Sequence, residues 1–159
     1  MSLEEITEIL RMCDLFCELS DNELRSIANL CQIEKFEAGD QIYEQDSIGT
    51  KLYFLAKGRV TLERKIDLYG TRKAKVNVFS LIEQANRRVM GSWYTFIGKQ
   101  HVHMCSAICD KPTKIVSMRC SELRDTMVKD SKIRIKILEK LVLLLRDRII
   151  SSYDAIETL

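Results

Sequence analysis

The chain has 159 residues, of which 46% are hydrophobic and 30% charged, with a formal net charge of +2. Such a chain is long enough to bury a core of its own, and its composition excludes a disordered or fibrous polymer. No apolar run reaches the ~18 residues of a membrane span, the acidic opening MSLEEITEIL lacks the basic-then-apolar order of a secretory signal, and so small a charge gives no field for nucleic acid or an anionic membrane.

Residues 1–32 predict two helices. Ile6, Ile9, Leu10 and Cys13 recur at helical spacing, and Leu15-Phe16 follow as an apolar step. Ser20 is placed to cap the next helix with Glu23 as the capping-box acid, and Leu24, Ile27, Ala28 and Cys31 give that helix one apolar face. Over 33–118 the pattern becomes about eight short strands with glycine punctuation, the signature of an antiparallel roll. Lys35–Asp40, Gln41–Glu44, Lys51–Ala56, Arg59–Arg64, Lys75–Phe79, His103–Cys109 and Thr113–Met118 carry the strand patterns, with a turn at Tyr69-Gly70-Thr71. Gly39, Gly49, Gly58 and Gly70 read as turn residues. Residues 121–159 return to helix. Ser121-Glu122-Leu123 opens one, Asp130-Ser131 offers a break and a new cap, and Lys132 to about Ile156 contains neither Gly nor Pro. Ile133, Ile137, Leu141, Leu144, Leu145, Ile149 and Tyr153 form its apolar stripe, which Val142, Leu143 and Ile150 widen. A helix this apolar has more than one side to bury. The expectation is that it packs one side on the roll and forms a homodimer through Ile137, Leu141, Leu144, Leu145 and Ile149.

The predicted fold is therefore mainly β with flanking helices: an eight-stranded antiparallel β-roll of the jelly-roll type, N-terminal helices and a long C-terminal helix, in one domain over 1–159. The order and spacing of its pieces resemble the cyclic-nucleotide-binding domain. Phe36-Glu37-Ala38-Gly39-Asp40-Gln41-Ile42-Tyr43 is similar to that family's opening strand and turn. Gly49 with Leu52-Tyr53-Phe54-Leu55 and Gly58-Arg59-Val60 is similar to its central strand pair, and Leu15-Phe16, Leu19-Ser20 and Glu23-Leu24 to its entry. The layout is nearest to the effector half of the cyclic-AMP receptor and fumarate–nitrate regulators. There the long helix makes the dimer, but after Tyr153 only six residues remain here, too few for a helix-turn-helix. DNA binding by this chain alone is not expected.

The resemblance implies a site. In the family, a Phe-Gly-Glu and the short helix after it hold the cyclic phosphate and ribose, and an Arg just before the next strand pairs with the phosphate. A helix N-terminus and a guanidinium fork suit an anion. The matching stretch here is Met90-Gly91-Ser92-Trp93-Tyr94-Thr95-Phe96-Ile97, followed by Met104-Cys105-Ser106-Ala107. Gly91 keeps the glycine, Ser92 stands in place of the Glu, and the Arg position falls on His103 or His101. Serine lacks the carboxylate charge and histidine is mostly neutral at pH 7. The expected candidates for a degenerate ligand cassette are Gly91, Ser92, Trp93, Tyr94, His101, His103 and Ser106, with Trp93 and Tyr94 able to stack on a flat molecule. The expected function is a regulatory or sensor module that does not bind cyclic AMP or cyclic GMP in the usual way. The alternative is a structural dimerisation module that has lost its ligand.

A lesser alternative is a metal, haem or redox sensor. His101, His103 and Cys105 alternate along an extended segment with Cys109 beyond, although no CxxC spacing accompanies them. The six cysteines read as reduced thiols in a cytoplasmic protein, with Cys13 and Cys17 on one buried helix face. Arg72, Lys73, Lys75, Arg87 and Arg88 read as solvated charge. No Gly-x-Ser-x-Gly, phosphate-loop or HExxH pattern is present, so neither enzyme chemistry nor a cofactor or metal is expected.

Overall fold

The computed structural model describes residues 1–68, 70, 72–83 and 88–158, with only the backbone of Leu68 and Arg72. The N-terminal helices start on paired caps. In α1 (Leu3–Arg11) Ser2 Oγ accepts from Glu5 N–H, and the Glu5 carboxylate accepts from Ser2 N–H; α2 (Asp21–Ala28) repeats the device with Ser20 and Glu23. α1 stops at Arg11, so Cys13 and Cys17 lie in the turns that follow, not on a shared helix face: Cys13 is buried and Cys17 exposed.

Among the described residues ten strands follow: β1 (Gln32–Phe36), β2 (Gln41–Tyr43), β3 (Ile48–Gly49), β4 (Lys51–Lys57), β5 (Arg59–Leu68), β6 (Arg72–Ile82), β7 (Val89–Gly91), β8 (His101–Val102), β9 (Ser106–Cys109) and β10 (Thr113–Arg119). They form one sheet in the order β1-β10-β4-β7, a second in the order β2-β9-β5-β6, and a small β3-β8 pair, with every recorded pairing antiparallel. The sequence pattern predicts about eight and places seven; β3, β7 and β8 are the additions. Tyr69, Thr71 and Arg87 lie outside the described residues, as does the side chain of Arg72. Arg88 is not solvated charge but is buried, and its carbonyl accepts from Leu55 N–H at 2.8 Å.

Alternation along the strands sends side chains to two cores. Leu52 and Phe54 of β4 and Val116 and Met118 of β10 face the helices, where they meet Leu10, Phe16, Leu24 and Ile27. The rings of Phe16 and Phe54 lie 5.3 Å apart. Leu55, Val60, Leu62, Leu81, Met90, Ala107 and Ile115 fill the interior of the roll.

α3 (Cys120–Lys129) ends at Asp130, whose carboxylate accepts from Lys132 N–H and Ile133 N–H to start α4 (Ser131–Glu157). Ile133, Ile137, Leu141 and Leu144 of α4 are buried in the helix-side core. Lys136 pairs with Glu23 at 3.0 Å and Lys140 with Glu18 at 2.7 Å, tying this half of α4 to the N-terminal segment. Ile137, Leu141 and Leu144 are therefore interior residues of this chain, not a dimer surface. The exposed apolar residues of α4 are Ile135, Val142, Leu143, Ile149, Ile150, Tyr153 and Ile156. Among the described residues no helix is long and apolar enough to cross a membrane.

Candidate functional site

Beyond Leu144 the helix continues over β6. Arg148 is central to this contact: its guanidinium lies 3.6 Å over the Phe79 ring, and Nη2 donates to the Val89 carbonyl at 2.8 Å. Stacking on a ring and bonding a strand carbonyl fasten this half of α4 to the roll. Between α4 and the sheets lies a cavity of about 600 Å³, well within the size range of small-molecule sites. Leu145, Arg148, Ile149, Ser152 and Tyr153 of α4 line one side, and Leu62, Ile66, Val76, Val78 and Phe79 of the β5–β6 hairpin another. Met90, Gly91, Trp93, Tyr94, His101, His103 and Tyr43 line the remainder.

The Gly91 stretch is built as follows. β7 pairs with β4, placing Gly91 opposite Leu52. Gly91 has φ +116°, and a Cβ there would lie 2.5 Å from the Lys51 carbonyl oxygen, so only glycine fits. The chain then makes a single 3₁₀ turn, Trp93–Ile97, closed by Gly98. Ser92 precedes the turn without capping it, and its Oγ is buried with no hydrogen-bond partner among the described residues. It points to Gly49, where an added Cβ would lie 2.2 Å from Ser92 Oγ and 2.5 Å from His103 Nε2. Gly49 is thus not a turn residue. It is a strand residue opposite His101, kept bare by the side chains packed on it.

His101 and His103 are both buried and both face the cavity. His103 is fixed at its backbone, donating to the Ser47 carbonyl at 2.9 Å and accepting from Asp46 N–H at 2.8 Å. Its ring stacks on Tyr43 at 3.9 Å, and His101 meets the rings of His103 and Tyr94 edge-on at 5.1 and 5.3 Å. Burial lowers the pKa of both imidazoles. That of His103, with His101 beside it as a second cause, falls to about 4. At neutral pH the pair is uncharged. His101 Nδ1 is buried and has no partner among the described residues.

Of the seven residues expected to form the cassette, Gly91, Trp93, Tyr94, His101 and His103 line the cavity. Ser92 and Ser106 do not. Ser106 Oγ instead accepts from Gln45 N–H at 2.9 Å, a structural bond. Leu145 and Ile149, expected at a dimer seam, line the cavity too. Cys105 joins them but Cys109 belongs to the roll core, and among the described residues no group of three His, Cys, Asp or Glu side chains is arranged to hold a metal ion. Arg64 and Arg148 escaped the sequence reading. They are the cations of the described lining, which contains no carboxylate.

No family model matches the chain, nor does any curated protein. Solved structures do match. A cyclic nucleotide-binding domain from Methylobacillus flagellatus superposes with a TM-score of 0.72 at 20% identity, over 96% of this chain and 80% of that one. The N-terminal domain of a transcriptional regulator from Streptomyces coelicolor gives 0.68 at 15% identity, over 87% and 91%. The sensor domain of the transcriptional regulator DNR from Pseudomonas aeruginosa gives 0.68 at 16%, over 92% and 93%. The fold is that of a cyclic-nucleotide-binding β-roll. The sequence resemblance implied this fold.

Proposed function

We propose that this chain is a regulatory binding module whose cavity accepts a small molecule other than cyclic AMP or cyclic GMP, and that it signals through α4 and is not an enzyme. The observation that carries this reading is the double placement of α4. Its second half forms one side of the cavity, so an occupant necessarily touches the helix. A ligand that prefers one seating of the helix shifts the population of seatings. The family's usual ligand is disfavoured by the site chemistry. Ser92 stands where the ribose-binding carboxylate belongs and is turned into the wall, no carboxylate lines the described cavity, and the histidines at the arginine position are neutral. Ribose hydroxyls would be desolvated against carbon without a strong acceptor.

The exposed face of α4 supports a homodimer. Ile135, Val142, Ile149 and Ile156 recur every seventh residue, with Leu143 and Ile150 alongside, the repeat that lets two helices wind together. We place the module in the cytoplasm, with an output carried by a partner. Isothermal titration with cyclic AMP and cyclic GMP tests the ligand claim: no saturable heat is expected, and micromolar binding of either overturns it. Light scattering tests the dimer, with twice the chain mass expected and a concentration-independent monomer overturning it.

A further inference from the structure

The chemical class of the ligand can be argued from the same cavity, so this inference rests on the reading above. We propose that the cavity binds an apolar monocarboxylic acid, with the Arg64 guanidinium on β5 as partner of the carboxylate and the carbon body held between the β5–β6 hairpin and α4.

Three observations support it. The walls are mostly carbon: Leu62, Val76, Val78, Met90, Leu145 and Ile149 face the space. A sugar or a polyanion would strand polar groups against them, whereas a hydrocarbon or ring system loses nothing. The lining carries two guanidinium groups, Arg64 and Arg148, and no carboxylate among its described residues. Arg64 is placed to act. It is partly buried, one Nη donates to the Met104 carbonyl, and among the described residues no carboxylate pairs with it. Met104 adjoins His103, one of the two positions at which the resemblance expects an arginine and this sequence has histidine. A guanidinium thus reaches the same neighbourhood from a different strand. Its planar fork matches the two oxygens of a carboxylate. The buried His101 Nδ1, which lacks a described partner, adds a hydrogen-bonding atom on a side chain that lines the cavity.

The experiment titrates the purified chain, by calorimetry and by thermal shift, with decanoate and 2-naphthoate, with the methyl ester of each, and with cyclic AMP. We expect at least one acid to bind and raise Tm, its ester to bind about tenfold or more weakly, and cyclic AMP not to bind. Arg64→Met should erase the preference for acid over ester while leaving ester binding in place. Arg64→Lys, which keeps the charge and loses the fork, should retain part of it, and serves if the methionine variant does not fold. Equal binding of acid and ester, or an acid preference that survives in Arg64→Met, overturns the carboxylate inference while leaving a non-nucleotide ligand site standing. Failure of both acids and both esters to bind also overturns it. Saturable cyclic AMP binding instead overturns the functional reading on which it rests.

Discussion

The two histidines give the stability of this chain a dependence on pH that can be isolated. His103 is depressed from 6.5 to about 4 when folded. Between those values the unfolded chain takes up a proton that the folded chain refuses. Stability is therefore complete above pH 6.5 and is lost as pH falls toward 4. Each pH unit in that window costs about 1.4 kcal/mol, so lowering the pH to about 5 removes about 2 kcal/mol through His103, and His101 adds a contribution of the same sign. Two carboxylates with depressed pKa values act below the pH 5 end of the comparison. The Ser20 backbone N–H, with Lys136, holds Glu23 below its ordinary 4.5; at Glu34 burial pushes upward, but bonds from Lys51 and Ser117 more than reverse it. Their stabilisation is present above 4.5 and is lost as pH falls below it, beneath the pH 5 of the assay. The assay is urea unfolding followed by circular dichroism near pH 7 and near pH 5, on the wild type and on His103→Phe. Phenylalanine keeps a ring against Tyr43 and cannot titrate. The wild type should lose about 2 kcal/mol or more and the variant markedly less. A wild type equally stable at both pH values, or a variant with the full loss, refutes the assignment.

Other substitutions separate the roles of neighbouring residues. Leu141→Asp buries a charge in the helix-side core and should abolish folding or cost more than about 3 kcal/mol, whereas Val142→Asp, which is 66% exposed, should leave Tm nearly unchanged and shift the light-scattering mass toward monomer. Gly49→Ala drives a methyl into Ser92 Oγ and the His103 ring; a loss of about 1–3 kcal/mol in chemical denaturation is expected. Arg148→Met removes the stack on Phe79 and the bond to Val89, and should cost about 2 kcal/mol and speed amide hydrogen exchange in the last turns of α4 ahead of the roll. Burial pushes the Cys13 and Cys31 thiols up to about 12 and Cys120 to about 11, so iodoacetamide should label the exposed Cys17 first and reach Cys13 and Cys120 only on unfolding.

Local chemistry made much of this fold legible. Ser20 with Glu23, and Asp130 before the long helix, act within one helical turn, and both caps form as the spacing indicates. The Gly91 stretch is located through the family resemblance, and the structure gives its glycine a positive φ that the position requires. What was missed depends on distant partners. β7 has three residues and exists through its pairing with β4. Ser92 and Ser106 look like ligand groups until the direction of each side chain is known: one points to Gly49, the other to Gln45. Arg64 and Arg148 enter the site from the hairpin and the helix, far in sequence from the glycine. On α4 the apolar periodicity was real, but it records two faces, and three of the five residues assigned to a partner copy, Ile137, Leu141 and Leu144, are buried by the chain itself.

Ile149 and Tyr153 have a double membership that sequence could not reveal: both line the cavity, and at 55% and 64% exposed both also belong to the outer stripe of α4. If a second copy covers that stripe, self-association and occupancy are linked reactions of the same two side chains. Linkage of this kind is reciprocal. Whatever factor the ligand applies to the dimer constant, the dimer applies to the ligand constant, so dilution alone would change the measured affinity. The amount of the protein in a cell would then tune its sensitivity as directly as any change in the cavity.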